Sequence, residues 1–313
     1  MGNELVEVQQ IARAIFEEVS KQVVGKTDLV NYLIISLLSQ GNILMEGLPG
    51  VAKTTIAKSF AISLGCDFKR IQFTPDIMPS DITGTYIFDQ KTKEFDLRKG
   101  PVFANIVLAD EINRASPKSQ SALLECMEER QVTLEGKTRM VPVPFMVIAT
   151  QNPIDLEGTY PLPEAQIDRF LFKLDVDYPD EDEELNMLIR KDNGITSEIK
   201  KVTSPEQINR LIGAVKKVYI DEKVMRYIRN LVIDTRKNKD LLIGASPRAS
   251  IALLNASKSI AAMRGRSYVI PDDVKYLYPV VLRHRLILSP DSEFGGTTLT
   301  DIIQDGLNRV EVV

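Results

Sequence analysis

The sequence has few of the side chains that build metal centres or nucleophilic active sites. Its 313 residues contain one histidine, His284, and two cysteines, Cys66 and Cys126, which form no CxxC pair. So small a set of soft ligands argues against a zinc site, and a Ser–His catalytic pair has no support. Because both cysteines lie in apolar helical contexts, we interpret them as buried free thiols, which favours a cytoplasmic location.

Long apolar runs and a large excess of one charge are also absent. The most apolar stretch, Leu29 to Leu38, is too short to cross a bilayer and contains Asn31, so we expect no membrane insertion. The formal net charge of −4 provides no basic field to attract nucleic acid. With 44% hydrophobic and 26% charged residues, the composition predicts a globular protein of about two domains.

Apolar strand candidates alternate with helical segments in the first 177 residues. This alternation predicts an α/β domain in which helices cover both faces of a parallel sheet. Two insertions, Pro75–Gly100 and Gln131–Val143, carry turn residues and alternating patterns, so we interpret both as projecting hairpins. The candidate strands are Ile43–Glu46, Arg70–Thr74, Ile106–Asp110, Phe145–Thr150 and Phe170–Val176, and the helices between them are Thr54–Leu64 and Lys118–Arg130.

Helical patterns occupy both ends of the chain. An apolar stripe in the N-terminal segment predicts a helix that packs against the α/β domain, and Lys26 to Ser39 predicts another. The acidic run Asp180 to Glu184 is typical of a helix N-terminus. We therefore expect residues 1–177 to form the α/β domain and residues 178–313 to form an all-helical domain. The stripe is Leu5, Val8, Ala12, Ile15 and Val19, and the later helices are Glu184–Lys191, Pro205–Val218, Asp221–Lys237, Pro247–Met263 and Pro271–Leu286.

The most informative motif follows the first candidate strand. Residues 47–54 read GLPGVAKT and lead into a helix-forming run, an order typical of a phosphate-binding P-loop. Backbone N–H groups would cradle phosphate, Lys53 would reach the β- and γ-phosphates, and the Thr54 hydroxyl would bind Mg²⁺. Ala52 replaces the usual Gly before the lysine and should adopt a negative φ. The residues assigned to nucleotide binding are Gly47, Pro49, Gly50, Val51, Ala52, Lys53, Thr54 and Thr55.

Adjacent acids end the third candidate strand. At the carboxyl end of a parallel strand next to a P-loop, Asp110 would hold Mg²⁺ and Glu111 would orient and deprotonate the attacking water. The alternative is a pair of ordinary exposed acids, but their position after the P-loop favours the site. Asn152 ends the next strand, where it would contact the γ-phosphate or the water, or would instead cap the turn before Pro153.

Two arginines complete the set of candidates. Arg169 lies in LPEAQIDRF, and Arg248 lies in GASPRA at the start of a predicted helix. A planar and permanently charged guanidinium suits contact with the γ-phosphate, although a surface salt bridge is the default interpretation of a single arginine.

Five motifs, in their order along the chain, resemble those of the MoxR group of AAA+ ATPases. They are GLPGVAKT, LADEINRA, ATQNP, LPEAQIDRF and GASPRAS, and the resemblance extends from about Val23 to the C-terminus. Members of this group carry Ala before the P-loop lysine. The resemblance implies a P-loop AAA+ core with a five-stranded parallel sheet and a C-terminal helical lid. It also identifies Pro75–Gly100 as a helix-2 insert and Gln131–Val143 as a pre-sensor-1 hairpin.

The same resemblance implies roles for single residues and a quaternary structure. Family members form rings, usually hexamers, with ATP and Mg²⁺ between subunits, and they remodel or mature client proteins, often with a partner that carries a von Willebrand A domain. Sensor 2 would act either on its own subunit's nucleotide or on a neighbour's. The implied roles are Walker B for Asp110 and Glu111, sensor 1 for Asn152, arginine finger for Arg169, sensor 2 for Arg248, and adenine binding for Val24 and Gly25.

Three other functions are compatible with a P-loop. A DNA-directed motor is disfavoured by the acidic net charge, since the second hairpin offers only Lys137 and Arg139 against Glu135. A small-molecule kinase would not need an arginine from a neighbour, and the paired acids favour water as the acceptor. A degradation unfoldase would need an aromatic pore loop, for which Tyr86 is the one candidate, although a place in the hairpin core suits it better.

Overall fold

A five-stranded parallel sheet forms the centre of the molecule, as predicted. The computed structural model describes residues 2–23, 25–48, 51, 53–153, 158–193 and 198–312. The sheet has the spatial order β2, β5, β8, β1, β9. The strands are β1 (Ile43–Glu46), β2 (Phe68–Gln72), β3 (Gly84–Asp89), β4 (Glu94–Lys99), β5 (Ile106–Asp110), β6 (Gln131–Leu134), β7 (Lys137–Met140), β8 (Met146–Gln151), β9 (Phe172–Asp175), β10 (Leu241–Ile243) and β11 (Ile287–Leu288).

Helices cover both faces of this sheet. Successive side chains of a strand point to opposite faces, so Ile43 and Met45 join the core beneath one layer of helices while Leu44 joins the core on the other face. The helices are α1 (Gly2–Ser20), α2 (Thr27–Leu38), α3 (Lys53–Leu64), α4 (Pro79–Thr83), α5 (Pro117–Glu129), α6 (Glu164–Ile167), α7 (Glu181–Asp192), α8 (Pro205–Lys216), α9 (Glu222–Lys237), α10 (Pro247–Met263), α11 (Pro271–Leu282), α12 (Pro290–Phe294) and α13 (Leu299–Arg309). Among the described residues, no helix is both long enough and apolar enough to span a bilayer.

The register of the sheet aligns the carboxyl ends of its strands. Glu46 pairs with Gln151 on one side and with Asp175 on the other, and Gln72 pairs with Asp110. The second strand was predicted two residues too late, at Arg70–Thr74, because its exposed Lys69 and Arg70 conceal the strand pattern at its start. The aligned ends create one edge at which polar side chains from several strands meet.

Two antiparallel hairpins occupy the predicted insertions. The first pairs β3 with β4 after the short helix α4, and the second pairs β6 with β7. They contact each other through Tyr86, which is half-buried: Lys137 Nζ lies 5.7 Å from its ring centroid, and Arg139 Nη2 donates to its hydroxyl at 3.4 Å. These two basic side chains, the ones considered above for DNA contact, are thus engaged by the neighbouring hairpin.

The C-terminal part of the chain is helical, as predicted, with one addition. Strands β10 and β11 pair antiparallel within it. The last predicted helix ends at Leu282 rather than Leu286, because the chain tightens into a 3₁₀ turn over Arg283–Arg285. This turn directs Arg285 back toward the segment that precedes β9, where its side chain donates to the carbonyls of Phe170 and Leu171.

The N-terminal helix connects the two halves of the chain. All five residues of the predicted apolar stripe are buried, and α1 packs against α2 and α3 of the α/β part and against α8 and α10 of the helical part. Its side chains therefore belong to a core that is continuous between the two parts.

Both cysteines are free thiols. Cys126 is buried within α5, as expected, whereas Cys66 is only partly buried because it follows the end of α3. Burial raises the pKa of each thiol to about 12, so both are protonated and unreactive near neutral pH.

Candidate active site

The described part of the P-loop lies at the carboxyl end of β1. Lys53 is the first residue of α3, and its Nζ donates to the Gly47 carbonyl at 2.5 Å. A side chain at position 47 would collide with the backbone of Val176, so glycine is required where the chain leaves the sheet. Val51 is buried. Four predicted ligands, Val24, Pro49, Gly50 and Ala52, and the expected negative φ of Ala52, lie outside the described residues.

Lys53 is enclosed but surrounded by acids. Burial lowers its pKa, while the nearby carboxylates of Asp110, Glu111 and Glu46 act in the opposite direction. These three carboxylates favour the charged form of the lysine, the form that binds phosphate.

Asp110 is the centre of a hydrogen-bond network that spans three strands. The carboxylate is almost buried, and its Oδ1 accepts from the Thr150 hydroxyl at 2.6 Å. Its Oδ2 lies 3.4 Å from the Thr54 hydroxyl and accepts from Arg70, with Nε at 2.9 Å and Nη2 at 2.7 Å. The fold thus brings the predicted pair of Thr54 and Asp110 together.

Glu111 is held away from the sheet by an unusual backbone conformation. Its φ is 56°, in the left-handed region, and its N–H donates to the Thr150 hydroxyl at 2.9 Å. The carboxylate accepts from Gln72 Nε2 at 2.7 Å and forms an ion pair with Arg114 Nη1 at 3.3 Å. Such strain is typical of functional sites, and the contacts fix where the carboxylate points.

Three of the residues in this network were not predicted. Arg70 and Gln72 lie two apart on β2 and so share a face, but only the strand order reveals that β2 neighbours β5. Thr150 lies near the end of β8, two residues before Asn152. A polar residue near the end of an otherwise apolar strand is the sequence signal for Thr150, as it is for Asn152.

Asn152 lies at the same edge of the sheet. It is buried just after β8, and its carbonyl accepts from Asn113 Nδ2 at 3.3 Å. Next to it, Gln151 Nε2 donates to Glu46 at 2.7 Å, and Glu46 also pairs with Lys173. Lys53, Thr54, Asp110, Glu111 and Asn152 are therefore collected at one edge.

The oxygen donors at this edge suit Mg²⁺. A hydroxyl and one carboxylate face each other at Thr54 and Asp110, and Mg²⁺ is usually held by one or two carboxylates together with substrate phosphates. Within the described ranges no group of three or more His, Cys, Asp or Glu side chains forms a metal site, so a metal cage made by protein alone is not present there.

The two candidate arginines lie together, at the opposite end of the sheet. Arg169 Nη1 is 2.9 Å from Glu128 Oε2, and Arg248 Nη2 pairs with Glu128 Oε1. Arg248 Nη1 also lies 3.9 Å from Asp168 Oδ2. The two guanidinium groups thus share one carboxylate, that of Glu128 at the end of α5.

The distance between these arginines and the P-loop follows from the direction of β1. The Leu171 N–H donates to the Asn42 carbonyl at 2.8 Å, which places Arg169 beside the start of β1, whereas the P-loop follows its end. Four residues of strand separate the two ends by about 10 Å. Neither arginine is therefore brought to the P-loop of its own chain in this structure.

Gly25, the remaining candidate for adenine contact, lies beneath α7. Its φ is 75°, and the Glu183 carboxylate fills the space that a side chain at position 25 would take. Lys26 Nζ lies 4.0 Å from the same carboxylate and donates to the Tyr178 carbonyl at 3.2 Å. The turn before α2 is therefore covered by the segment that follows β9.

Comparisons with known proteins agree with this geometry. Residues 42–172 match the family model of the ATPase family associated with various cellular activities (AAA), and residues 233–305 match that of the AAA lid domain. The chain is 48% identical over 296 residues to the chaperone MoxR1 of Mycobacterium tuberculosis, covering 91% of this chain and 78% of that protein. It is 47% identical over 297 residues to the YeaC protein of Bacillus subtilis, covering 95% and 93%.

A solved structure has the same fold. The crystal structure of a Cytophaga hutchinsonii protein described as an ATPase superposes with a TM-score of 0.92 at 40% sequence identity. The superposition covers 99% of this chain and 97% of that one.

Proposed function

Since the chain belongs to the MoxR family of AAA+ ATPases and is itself an ATPase, we propose that it hydrolyses ATP in a site completed by a second copy of the chain. The observation that supports this most directly is the separation of its charged groups. Lys53 and the two acids lie at one end of the sheet, and Arg169 and Arg248 lie at the other. Arg169 and Arg248 would reach a phosphate bound at Lys53 only from a neighbouring molecule.

Each residue at the carboxyl edge has a definite task in this proposal. Lys53 and the backbone of the P-loop bind the β- and γ-phosphates. Thr54 and Asp110 would hold Mg²⁺, which when bound would neutralise charge on those phosphates. Glu111 takes a proton from the attacking water and Asn152 orients it, as the family assignment implies.

Arg169 and Arg248 act as a pair in this proposal. Because both share Glu128, a neighbour that receives one guanidinium also receives the other, which supports Arg248 acting on the neighbour's nucleotide rather than on its own. An arginine supplied across an interface stabilises the charge that develops on the transferred phosphoryl group, with effects of about 10³–10⁵ in rate in GTPases. Repetition of this head-to-tail contact produces a ring, and we propose a hexamer.

The proposed cellular role is remodelling or maturation of a client protein. The chaperone name of the M. tuberculosis relative supports a client, and the family resemblance suggests a partner with a von Willebrand A domain. We propose a cytoplasmic location, supported by the two free thiols. We further propose that the α/β core covers residues 1–177 and the lid covers residues 178–313.

Substitution of Glu111 tests the site. We expect Glu111→Gln to bind ATP with nearly the affinity of the original protein but to turn over at least about 100-fold more slowly, because general-base catalysis is lost. Lys53→Ala, which loses the phosphate contact, should fail at the binding step. Fluorescent-nucleotide titration and steady-state phosphate release separate the two effects. Unchanged turnover in Glu111→Gln, or unchanged affinity in Lys53→Ala, would contradict the assigned roles.

A further inference from the structure

Helix α7 is exposed along its whole length. None of its twelve residues is buried, although Leu185, Leu188 and Ile189 are large and apolar. Leu188 is 63% exposed and Leu185 is 55% exposed. A helix of this length is only marginally stable in water, so packing against another surface is expected. Isolated apolar side chains are common on protein surfaces, but three on one helix form a patch.

Three of the four apolar residues of α7 share one face, and the contacts of Glu183 and Arg190 with the rest of the chain use the opposite face. Leu185, Leu188 and Ile189 are spaced three and four apart, which puts them on one side of the helix. Glu183 and Arg190 are seven apart and occupy the other side, where Glu183 covers Gly25 and Arg190 Nη1 donates to the Lys21 carbonyl at 2.9 Å. The apolar stripe therefore points away from the molecule.

The position of α7 ties this stripe to the nucleotide-binding edge. The Val176 N–H donates to the Glu46 carbonyl at 2.7 Å, so the segment that begins α7 leaves the sheet directly beside the P-loop. Arg169 and Arg248, which the proposed function assigns to the γ-phosphate, are absent from this edge and lie on the far side of the fold, at Glu128. Whatever molecule brings those arginines to the P-loop also approaches α7.

We propose that Leu185, Leu188 and Ile189 form a docking surface for a second copy of this chain, the copy that supplies Arg169 and Arg248. This inference rests on the proposed function, since it names the surface that completes the shared site. The far side of the fold has matching chemistry: Ile251 is 59% exposed and lies one turn after Arg248 on α10. The first turn of α7 is acidic, which complements the arginine-bearing face.

The test replaces the stripe without disturbing the fold. Because α7 has no buried residues, Leu185→Ser/Leu188→Ser should melt at the same temperature and bind nucleotide as a dilute protomer with unchanged affinity. Sedimentation velocity with an ATP analogue that is not hydrolysed measures assembly. We expect the protein concentration for half-assembly to rise at least about tenfold, and ATP turnover at low protein concentration to fall in parallel.

Two further variants isolate the stripe. Met187→Ser removes an exposed apolar side chain from the opposite face of the same helix and should assemble like the original protein. Leu185→Met/Leu188→Met keeps the apolar surface and should assemble like the original protein. Equal assembly of the double serine variant and the original protein would overturn the inference, as would an equal defect in Met187→Ser. If the original protein stayed monomeric with nucleotide at every concentration, the shared site itself would be wrong.

Discussion

At the scale of single residues, the proposed metal ligand Asp110 already forms an ion pair with a permanently charged side chain, Arg70. Arg70 contacts Oδ2 of Asp110, the same oxygen that faces the Thr54 hydroxyl. A guanidinium and Mg²⁺ carry charge of the same sign and would compete for one carboxylate. The side chain of Arg70 is about half exposed, so this competition is screened by water.

Arg70→Met should therefore lower the Mg²⁺ concentration that nucleotide binding requires. With the competing charge removed, we expect the Mg²⁺ concentration for half-maximal ATP affinity to fall by up to about fivefold, the range of a partly exposed ion pair. Fluorescent-ATP titrations over a Mg²⁺ series provide the measurement. Lys69→Met removes a charge from the neighbouring exposed position and serves as the control. An unchanged Mg²⁺ midpoint in Arg70→Met would show that the pair does not limit access to Asp110.

His284 predicts a pH effect on stability. The residue is partly exposed, but its ring nitrogens face the protein: Nε2 lies 3.2 Å from the Phe170 carbonyl oxygen, and the buried Nδ1 has no hydrogen-bond partner in the described structure. Burial, with the charges of Arg285 and Lys173, lowers the pKa of His284 well below 6.5. The folded state thus holds the neutral ring, and this contribution is present above pH 6.5 and is lost as the pH falls below it.

We expect the free energy of unfolding to decrease by up to about 1.4 kcal/mol per pH unit below pH 6.5 on account of His284. His284→Gln keeps a donor for the Phe170 carbonyl but removes the titration. Denaturant unfolding at pH 5.5 and 6.5 should therefore show a smaller pH dependence in this variant. The same slope in both proteins would exclude His284 as its source.

How far residues can be predicted depends on whether their role is local in sequence. Lys53, Thr54 and Asp110 follow directly from strand and turn patterns, and the fold brings them together. Gln72 and Arg114 could not be assigned to Glu111, because their contacts depend on strand order and on the left-handed backbone at Glu111. The meeting of Arg169 and Arg248 at Glu128 is likewise a product of tertiary packing.

At the scale of elements, Asp168 joins the end of α6 to the 3₁₀ turn after α11. Its Oδ1 accepts from Arg285 Nε at 2.8 Å, and its Oδ2 accepts from the Ser246 hydroxyl at 2.9 Å. Arg285 is almost completely buried, and burial lowers its pKa to about 10 while Asp168 opposes that change. The guanidinium remains charged at neutral pH and depends on this carboxylate.

Asp168→Ala should destabilise the protein by about 3 kcal/mol, because it leaves a buried guanidinium without its counter-charge. Asp175→Ala is a matched control, since the partner of Asp175 is Arg283, whose side chain is 61% exposed. For Asp175→Ala we expect the free energy of unfolding to fall by about 1 kcal/mol or less. Urea unfolding of the two variants compares them directly, and equal losses would contradict the importance of burial.

Element boundaries show where sequence patterns lose information. The helix predicted at Glu184–Lys191 begins three residues earlier, at Glu181, where the side chain of Asp180 from the predicted acidic run caps it, and Ser204 caps α8 in the same way. No prediction was made for α13, although Thr298 caps it and its apolar side packs against α11. The pairing of β10 with β11 joins segments distant in sequence, so a local pattern could not reveal it.

At the scale of the whole molecule, the proposed head-to-tail arrangement would make the two ends of the sheet parts of different active sites. A mixture of Arg169→Ala and Lys53→Ala protomers, each inactive alone, should recover activity where an intact P-loop meets an intact arginine. Random mixing at equal amounts creates such interfaces at about a quarter of positions. Phosphate release from verified mixed assemblies provides the measurement.

The same mixture made with Arg248→Ala separates the two alternatives for sensor 2. Recovery indicates that Arg248 acts on the neighbour's nucleotide, whereas no recovery indicates that it acts on its own. Mixing Lys53→Ala with a Lys53→Ala/Arg169→Ala double variant leaves no intact P-loop and should stay inactive. Activity in that control would show that turnover does not depend on Lys53.

Glu128 has a consequence for the protomer on its own. One carboxylate receives Arg169 on one oxygen and Arg248 on the other, so it imitates the terminal phosphate that both side chains would meet in a neighbour. If the arginines act across the proposed interface, Glu128 holds both of them in a free protomer, and a neighbour's ATP would have to displace Glu128 to engage them. Nucleotide with an intact γ-phosphate has the charge to do so, and a site that has lost this phosphate does not.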